Sequence, residues 1–101
     1  MHNKIIDLII AEADELNEQI KNRVPVEAGR DAPLFGRNGG VLDSIGLVTL
    51  IVAVEQAVED EFGAALVLAN EKAMSLKNSP FRTIGSLTDY IVGLLKEDGN
   101  G

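Results

Sequence analysis

The residues best placed to do chemistry are Asp43 and Ser44, in the run Gly40-Val41-Leu42-Asp43-Ser44-Ile45-Gly46-Leu47-Val48-Thr49-Leu50. A glycine turn is followed by an acid, a hydroxyl and an apolar stretch. Asp43 is a good helix N-cap, because its carboxylate can accept from the free backbone N–H groups of a first turn. Ser44 then takes the first helical position. A phosphate carried there would meet unpaired N–H donors and the positive end of the helix dipole. The plainer reading is that Asp-Ser at a helix start is only a cap.

Other chemistries are removed by what the chain lacks. It has no Cys, so disulfides, thiolate metal sites and a thiol nucleophile are excluded. His2 is the only His and lies at a terminus expected to fray, which excludes a His-based triad and a multi-His metal site. No base is encoded near Ser44, and a serine without one is inert as a hydrolase nucleophile. No catalytic residue and no metal ligand stands out. The glycines between 29 and 40 have no phosphate-loop spacing: there is no Gly-Lys-Ser/Thr and no preceding strand.

Charge narrows the partners. Acids outnumber bases 16 to 9, a formal charge of −7. A surface of that sign repels phosphate backbones, so no nucleic acid is expected. Between Arg37 and Lys72 there is no Lys or Arg, while Asp43, Glu55, Glu59, Asp60, Glu61 and Glu71 fall there. That segment is either a solvated helix end or a face that docks onto basic partners. No signal peptide is visible. The apolar run from residue 5 to 10 is broken by Asp7, and no segment is long enough to span a bilayer. A cytoplasmic location, without membrane insertion, is expected.

The elements that must position Asp43 and Ser44 belong to one small domain, since 101 residues are too few for two. Such a domain buries about 65% of its unfolded surface. Apolar residues make up 46% of the chain, enough to fold. With one Tyr, no Trp and three Phe, aliphatic side chains and Ala must fill the core. Residues 4–22 read as a first helix, with Ile5, Ile9, Ala13, Leu16 and Ile20 at three- and four-residue steps and Asn3 as its cap. Residues 23–42 read as a loop punctuated by Pro25, Gly29, Pro33, Gly36, Gly39 and Gly40. A loop of that length asks for a reason; Val24, Leu34, Phe35, Val41 and Leu42 can tack it onto the core.

Residues 44–62 read as the second helix. Leu47, Leu50, Ile51, Val54, Val58 and Phe62 share its core face, with Ala57 beside them. The other side carries Ser44, Val48, Val52, Glu55 and Glu59. The serine thus heads a partly exposed apolar strip, Ile45-Val48-Val52, that turns acidic further down. Three such residues in line point to a contact surface. Gly63 ends the helix. Residues 64–69 extend that helix or form a connector. Asn70 can cap a short helix from Glu71 to Leu76, which Ser79-Pro80 breaks. Thr83 can cap the last helix, where Ile84, Leu87, Ile91 and Leu94 repeat, with Tyr90 and Leu95 flanking and a tail from Gly99 to Gly101. The predicted architecture is all-α: a small, monomeric four-helix bundle of three main helices and one short one, ordered over residues 3–97. Leu50, Val54, Phe62 and Ile91 are expected to be buried.

This pattern resembles the acyl carrier proteins of the phosphopantetheine-dependent family. That family's mark is Asp-Ser-Leu opening the second helix; here it stands as Asp43-Ser44-Ile45 after Gly-Val-Leu. A second, independent match is Thr83-Ile84-Gly85-Ser86-Leu87-Thr88-Asp89-Tyr90-Ile91. It is similar to the family's final-helix pattern of threonine, aliphatic, two variable residues, leucine, then tyrosine-isoleucine. The Glu-Asp-Glu-Phe-Gly end of the second helix also fits, and the resemblance runs from the first helix to Leu95. The chain departs from the family where acids often follow Asp-Ser-Leu: here Gly46 and Thr49 stand. The second helix is about one turn longer than usual, and the stretch from Phe62 to Thr83 is longer too. It therefore looks like a specialised member.

The resemblance implies that a separate phosphopantetheinyl transferase, with Mg²⁺, moves 4′-phosphopantetheine from coenzyme A onto Ser44. The arm then holds an acyl group as a thioester for acyl-loading and acyl-using enzymes of fatty-acid, lipid or secondary-metabolite synthesis, and the chain itself would be no enzyme and would catalyse nothing. Asp43 would help present Ser44. Ile45, Val48 and Val52 would contact partner enzymes, and Glu55 and Glu59 would pair with their basic residues. Two alternatives stay open on sequence alone: an aminoacyl or peptidyl carrier with the same serine, and an unmodified acidic helical adaptor.

Overall fold

A computed structural model describes residues 2–20, 23–35, 40–68 and 80–99 of the chain. The first apolar stripe forms α1 (His2–Leu16), with Ile5, Ile9, Ala13 and Leu16 buried. The helix starts two residues before the expected 4–22 span, so Asn3 lies inside it rather than capping it, and His2 is helical rather than frayed. It also ends early, and the cause is Asn17. The Asn17 side chain accepts from the Val24 N–H at 2.7 Å and donates to the Val24 carbonyl at 2.9 Å. A short amide that pairs with backbone elsewhere competes with helix continuation. The chain leaves through i→i−3 bonds, from Glu18 N–H to Glu15 O and Gln19 N–H to Leu16 O. Ile20 is left outside the helix and half-buried.

The expected loop from 23 to 42 contains a 3-10 helix, Val26–Asp31, bent at Gly29, whose φ of 62° favours a residue without Cβ. Val24, Ala32, Leu34 and Leu42 are buried, so this segment is pinned to the core from several sides. Pro33 bridges to Thr83. The flanking bonds run from Leu34 N–H to Arg82 O (2.8 Å), Phe35 N–H to Phe81 O (3.0 Å) and Ile84 N–H to Ala32 O (3.0 Å). Arg30 Nη2 donates to Asp89 Oδ2 at 2.8 Å, and this bond holds the Asp89 carboxyl below its ordinary value. Gly85 makes the approach possible: a Cβ there would lie 2.9 Å from the Arg30 carbonyl oxygen.

The second helix, α2 (Ser44–Phe62), has the bounds read from the sequence. Asp43 caps its start. At its end Gly63 takes φ 68° and its N–H reaches the Glu59 carbonyl at 2.8 Å. Leu47, Leu50, Ile51, Val54 and Val58 are buried. Phe62 is a correction: it is half-buried, packed against the core margin. At about 100° per residue it stands about 80° round the helix from Val54, at the edge of the buried arc. The fully buried aromatic ring is Phe81.

Residues 64–68 do not continue α2; they run non-helically to a buried Leu68. The short helix expected from Glu71 to Leu76, with its Asn70 cap, lies outside the described residues. The last helix, α3 (Ile84–Gly99), begins with a reciprocal cap. Thr83 Oγ1 accepts from the Ser86 N–H and Ser86 Oγ accepts from the Thr83 N–H, both at 3.0 Å. Ser86 thus takes the place that Glu or Gln holds in the usual capping box. Ile84, Leu87 and Ile91 are buried as expected. Leu95 is buried rather than flanking and Leu94 is half-buried, while the helix runs to Gly99, where a tail was expected.

α1 packs against both α2 and α3, and the 3-10 helix packs against α1 and α3. The fold is a small all-α bundle. Among the described residues no helix is long and apolar enough to cross a membrane.

Candidate functional site

The start of α2 is built by three neighbours. Asp43 is extended, with φ −85° and ψ −177°, and its Oδ1 accepts from the Gly46 N–H at 2.7 Å. Its carbonyl accepts from the Leu47 N–H at 2.9 Å. Leu42 and Leu47 occupy the staple positions on either side of the cap, and both are buried. Gly46 fits closely beneath: a Cβ there would lie 3.2 Å from Asp43 Oδ1 and 3.3 Å from Leu42 Cδ2. In the sequence Gly46 stands out only as a missing acid and a loss of helix propensity. Its position three residues after the cap was the available signal for this role.

Ser44 follows the cap and is exposed. Among the described residues no backbone acceptor takes the N–H of Ser44 or Ile45. An oxygen-rich anion carried on the Ser44 hydroxyl would therefore find two free donors and the positive dipole end. The Asp43 carboxylate is committed to Gly46. The arrangement offers an accessible hydroxyl whose neighbouring carboxylate is already engaged.

Below Ser44 the helix presents apolar surface to solvent. Ile45 is 78% exposed, Val48 49% and Val52 48%. Val67, in the connector after α2, adds a fourth exposed aliphatic side chain that sequence reasoning missed. The two acids assigned a common role separate here. Glu59 is exposed, whereas Glu55 is half-buried and its Oε2 accepts from the Leu68 N–H at 2.6 Å. Glu55 thus fastens the connector to α2, a pairing across 13 residues that no local pattern announces.

Hydrogen bonds to charged groups contribute about 1.5–3 kcal/mol. Glu55→Ala should therefore speed amide hydrogen exchange at Leu68 by about 10- to 100-fold. The Gly63 amide, bonded within the C-cap, should change little. An unchanged Leu68 rate would mean that the connector is held by other contacts.

No protein-family model, no curated protein and no solved structure matches the chain.

Proposed function

We propose that this chain is a carrier protein that holds an acyl group on a 4′-phosphopantetheine arm attached to Ser44. The reading rests on the exposed Ser44 hydroxyl at the open first turn of α2, held there by the Asp43–Gly46 cap. When bound, the arm would supply the thiol that this cysteine-free chain lacks and would hold the acyl group as a thioester. The Ser44 and Ile45 N–H groups fit the phosphodiester end of the arm. Asp43 positions Ser44 by ordering the first turn. The Ser44 proton would leave to a base on the transferase, because the adjacent Asp43 carboxylate is engaged by the Gly46 N–H. The chain would bind and present cargo, and the chemistry would belong to its partner enzymes, beginning with a phosphopantetheinyl transferase.

The exposed strip of Ile45, Val48 and Val52 is the surface on which those enzymes would close. From Ser44 to Val54 the helix carries no charge. With Glu55 engaged by Leu68, the exposed Glu59 is the one of the two that would serve a distal ion pair. Recognition would thus be mainly apolar, at roughly 25 cal/mol per Å² buried. Val48→Ser should slow loading by the cognate enzyme far more than added salt does, since salt screens charge and spares apolar contact. Loading that survives Val48→Ser but collapses in moderate salt would reverse this assignment.

The experiment that tests the carrier reading is incubation with coenzyme A, Mg²⁺ and a broad-range transferase. Intact mass should rise by one phosphopantetheine. A loading assay with acyl and aminoacyl donors then identifies the cargo class. A chain that gains no mass is not a carrier.

A further inference from the structure

A groove of about 390 Å³ runs between α1 and α2. Its walls come from the last turn of α1 with the turn after it, and from α2 between Thr49 and Asp60. Along α2 that is about 16 Å, three helical turns. Leu16, Ala53 and Ala57 give it an apolar floor, and Glu12, Glu15 and Asp60 bring carboxylates to it. The two alanines leave the room that larger side chains would fill.

The groove carries a specific charge. Among the described residues no Lys, Arg or His lines it. The ion pairs among those residues use Lys4, Arg23, Arg30 and His2, and none involves Glu12, Glu15 or Asp60. Partial burial, and then the neighbouring Glu15 charge, push the Glu12 carboxyl above its ordinary value. In the described part of the chain these acids have no ion-pair partner; Arg23, which shares the neighbouring pocket with Glu15, pairs instead with Glu27.

We propose that the α1–α2 groove is a docking surface for a basic amphipathic helix of a partner protein, with its apolar stripe on Ala53 and Ala57 and its Lys or Arg residues against Glu12, Glu15 and Asp60. A groove between two helices accepts a third as ridge into groove, and about three turns fill it. A second copy of this chain, at −7, would set acid against acid. A purely apolar ligand would desolvate the carboxylates and return nothing to them. Ala53 lies about 180° round α2 from Ser44. Val48 lies about 140° round from Ala53, so a partner seated in the groove leaves Ser44 and Val48 open while Ile45 and Val52 flank its edge, and its docking does not depend on Ser44 being modified.

The test uses the full chain and a fluorescein-labelled, stapled helical peptide with leucines on one face and lysines along both flanks. A glutamate-for-lysine version is the control. The lysine peptide should bind one to one, with amide shifts gathered on Glu12, Thr49, Ala53, Ala57 and Asp60. The triple variant Glu12→Gln, Glu15→Gln, Asp60→Asn should weaken binding about tenfold, as expected for three partly exposed ion pairs. Ala53→Trp should block it by filling the groove. If that variant fails to fold by circular dichroism, the near-isosteric triple variant decides the matter. Ser44→Ala should bind normally, so failure here and failure of the carrier reading are distinguishable. The proposal is overturned by absent binding, by shifts centred on Ser44 and Val48 or spread over the surface, or by equal binding of the glutamate peptide. Concentration-dependent dimers in sedimentation that occlude the groove would also overturn it, naming a second copy as the occupant.

Discussion

Replacing Ser44 with Ala is expected to abolish the gain of one phosphopantetheine mass that the unaltered chain shows with coenzyme A, Mg²⁺ and a transferase. The loss should be complete, because it removes the oxygen that bonds to phosphorus. The fold should survive it. Ser44 is exposed, the cap is made by Asp43 and Gly46, and Ala is the best helix former. Melting temperature should stay near that of the parent. The contrasting variant is Asp43→Ala, which keeps the hydroxyl and removes the bond to the Gly46 N–H. It should cost about 1 kcal/mol of stability and slow modification without ending it. Equal modification of the Ser44→Ala chain would mean that another hydroxyl is the attachment point, and the reading of α2 would fall with it.

Phe81→Ala is expected to be the most destabilising aromatic truncation, at about 3–5 kcal/mol. Its ring is fully buried, and the Phe81 carbonyl accepts from the Phe35 N–H where the loop crosses to α3. A domain of this size has about 5–15 kcal/mol in total, so the variant should lose a large share of its stability. Phe62→Ala should cost substantially less, because that ring is half-buried at the margin of α2. Urea unfolding of the two variants separates them by midpoint at an unchanged slope. A larger loss for Phe62 than for Phe81 would show that the core is centred on α2 rather than at the junction of the loop and α3.

The features legible in the sequence are those set within one or two helical turns. Asp43 and Gly63 mark the ends of α2 because a cap bond spans three residues and a left-handed closing residue needs no Cβ. Thr83 marks the start of α3 for the same reason. The three- and four-residue spacing of apolar side chains assigned the all-α class, the buried faces of α1 and α2, and the exposure of Ile45, Val48 and Val52 below Ser44. Within the candidate site, the cap, the hydroxyl and the strip below it all follow from such local spacing.

Tertiary structure decided whatever depends on which surface comes to lie opposite. α1 stops at Leu16 because Asn17 finds Val24 seven residues away. Residues 23–35 of the long loop are held in place because Pro33 meets Thr83 and Gly85 admits Arg30. Glu55 is a fastener and Glu59 stays exposed, although one helical turn separates them, because the Leu68 N–H comes to Glu55. Phe81 has the full burial that periodicity assigned to Phe62. Spacing places a side chain on a face of its own helix. It carries no information about how far the facing element covers that margin, and burial at an edge, a long-range hydrogen bond and a groove between helices all depend on that coverage.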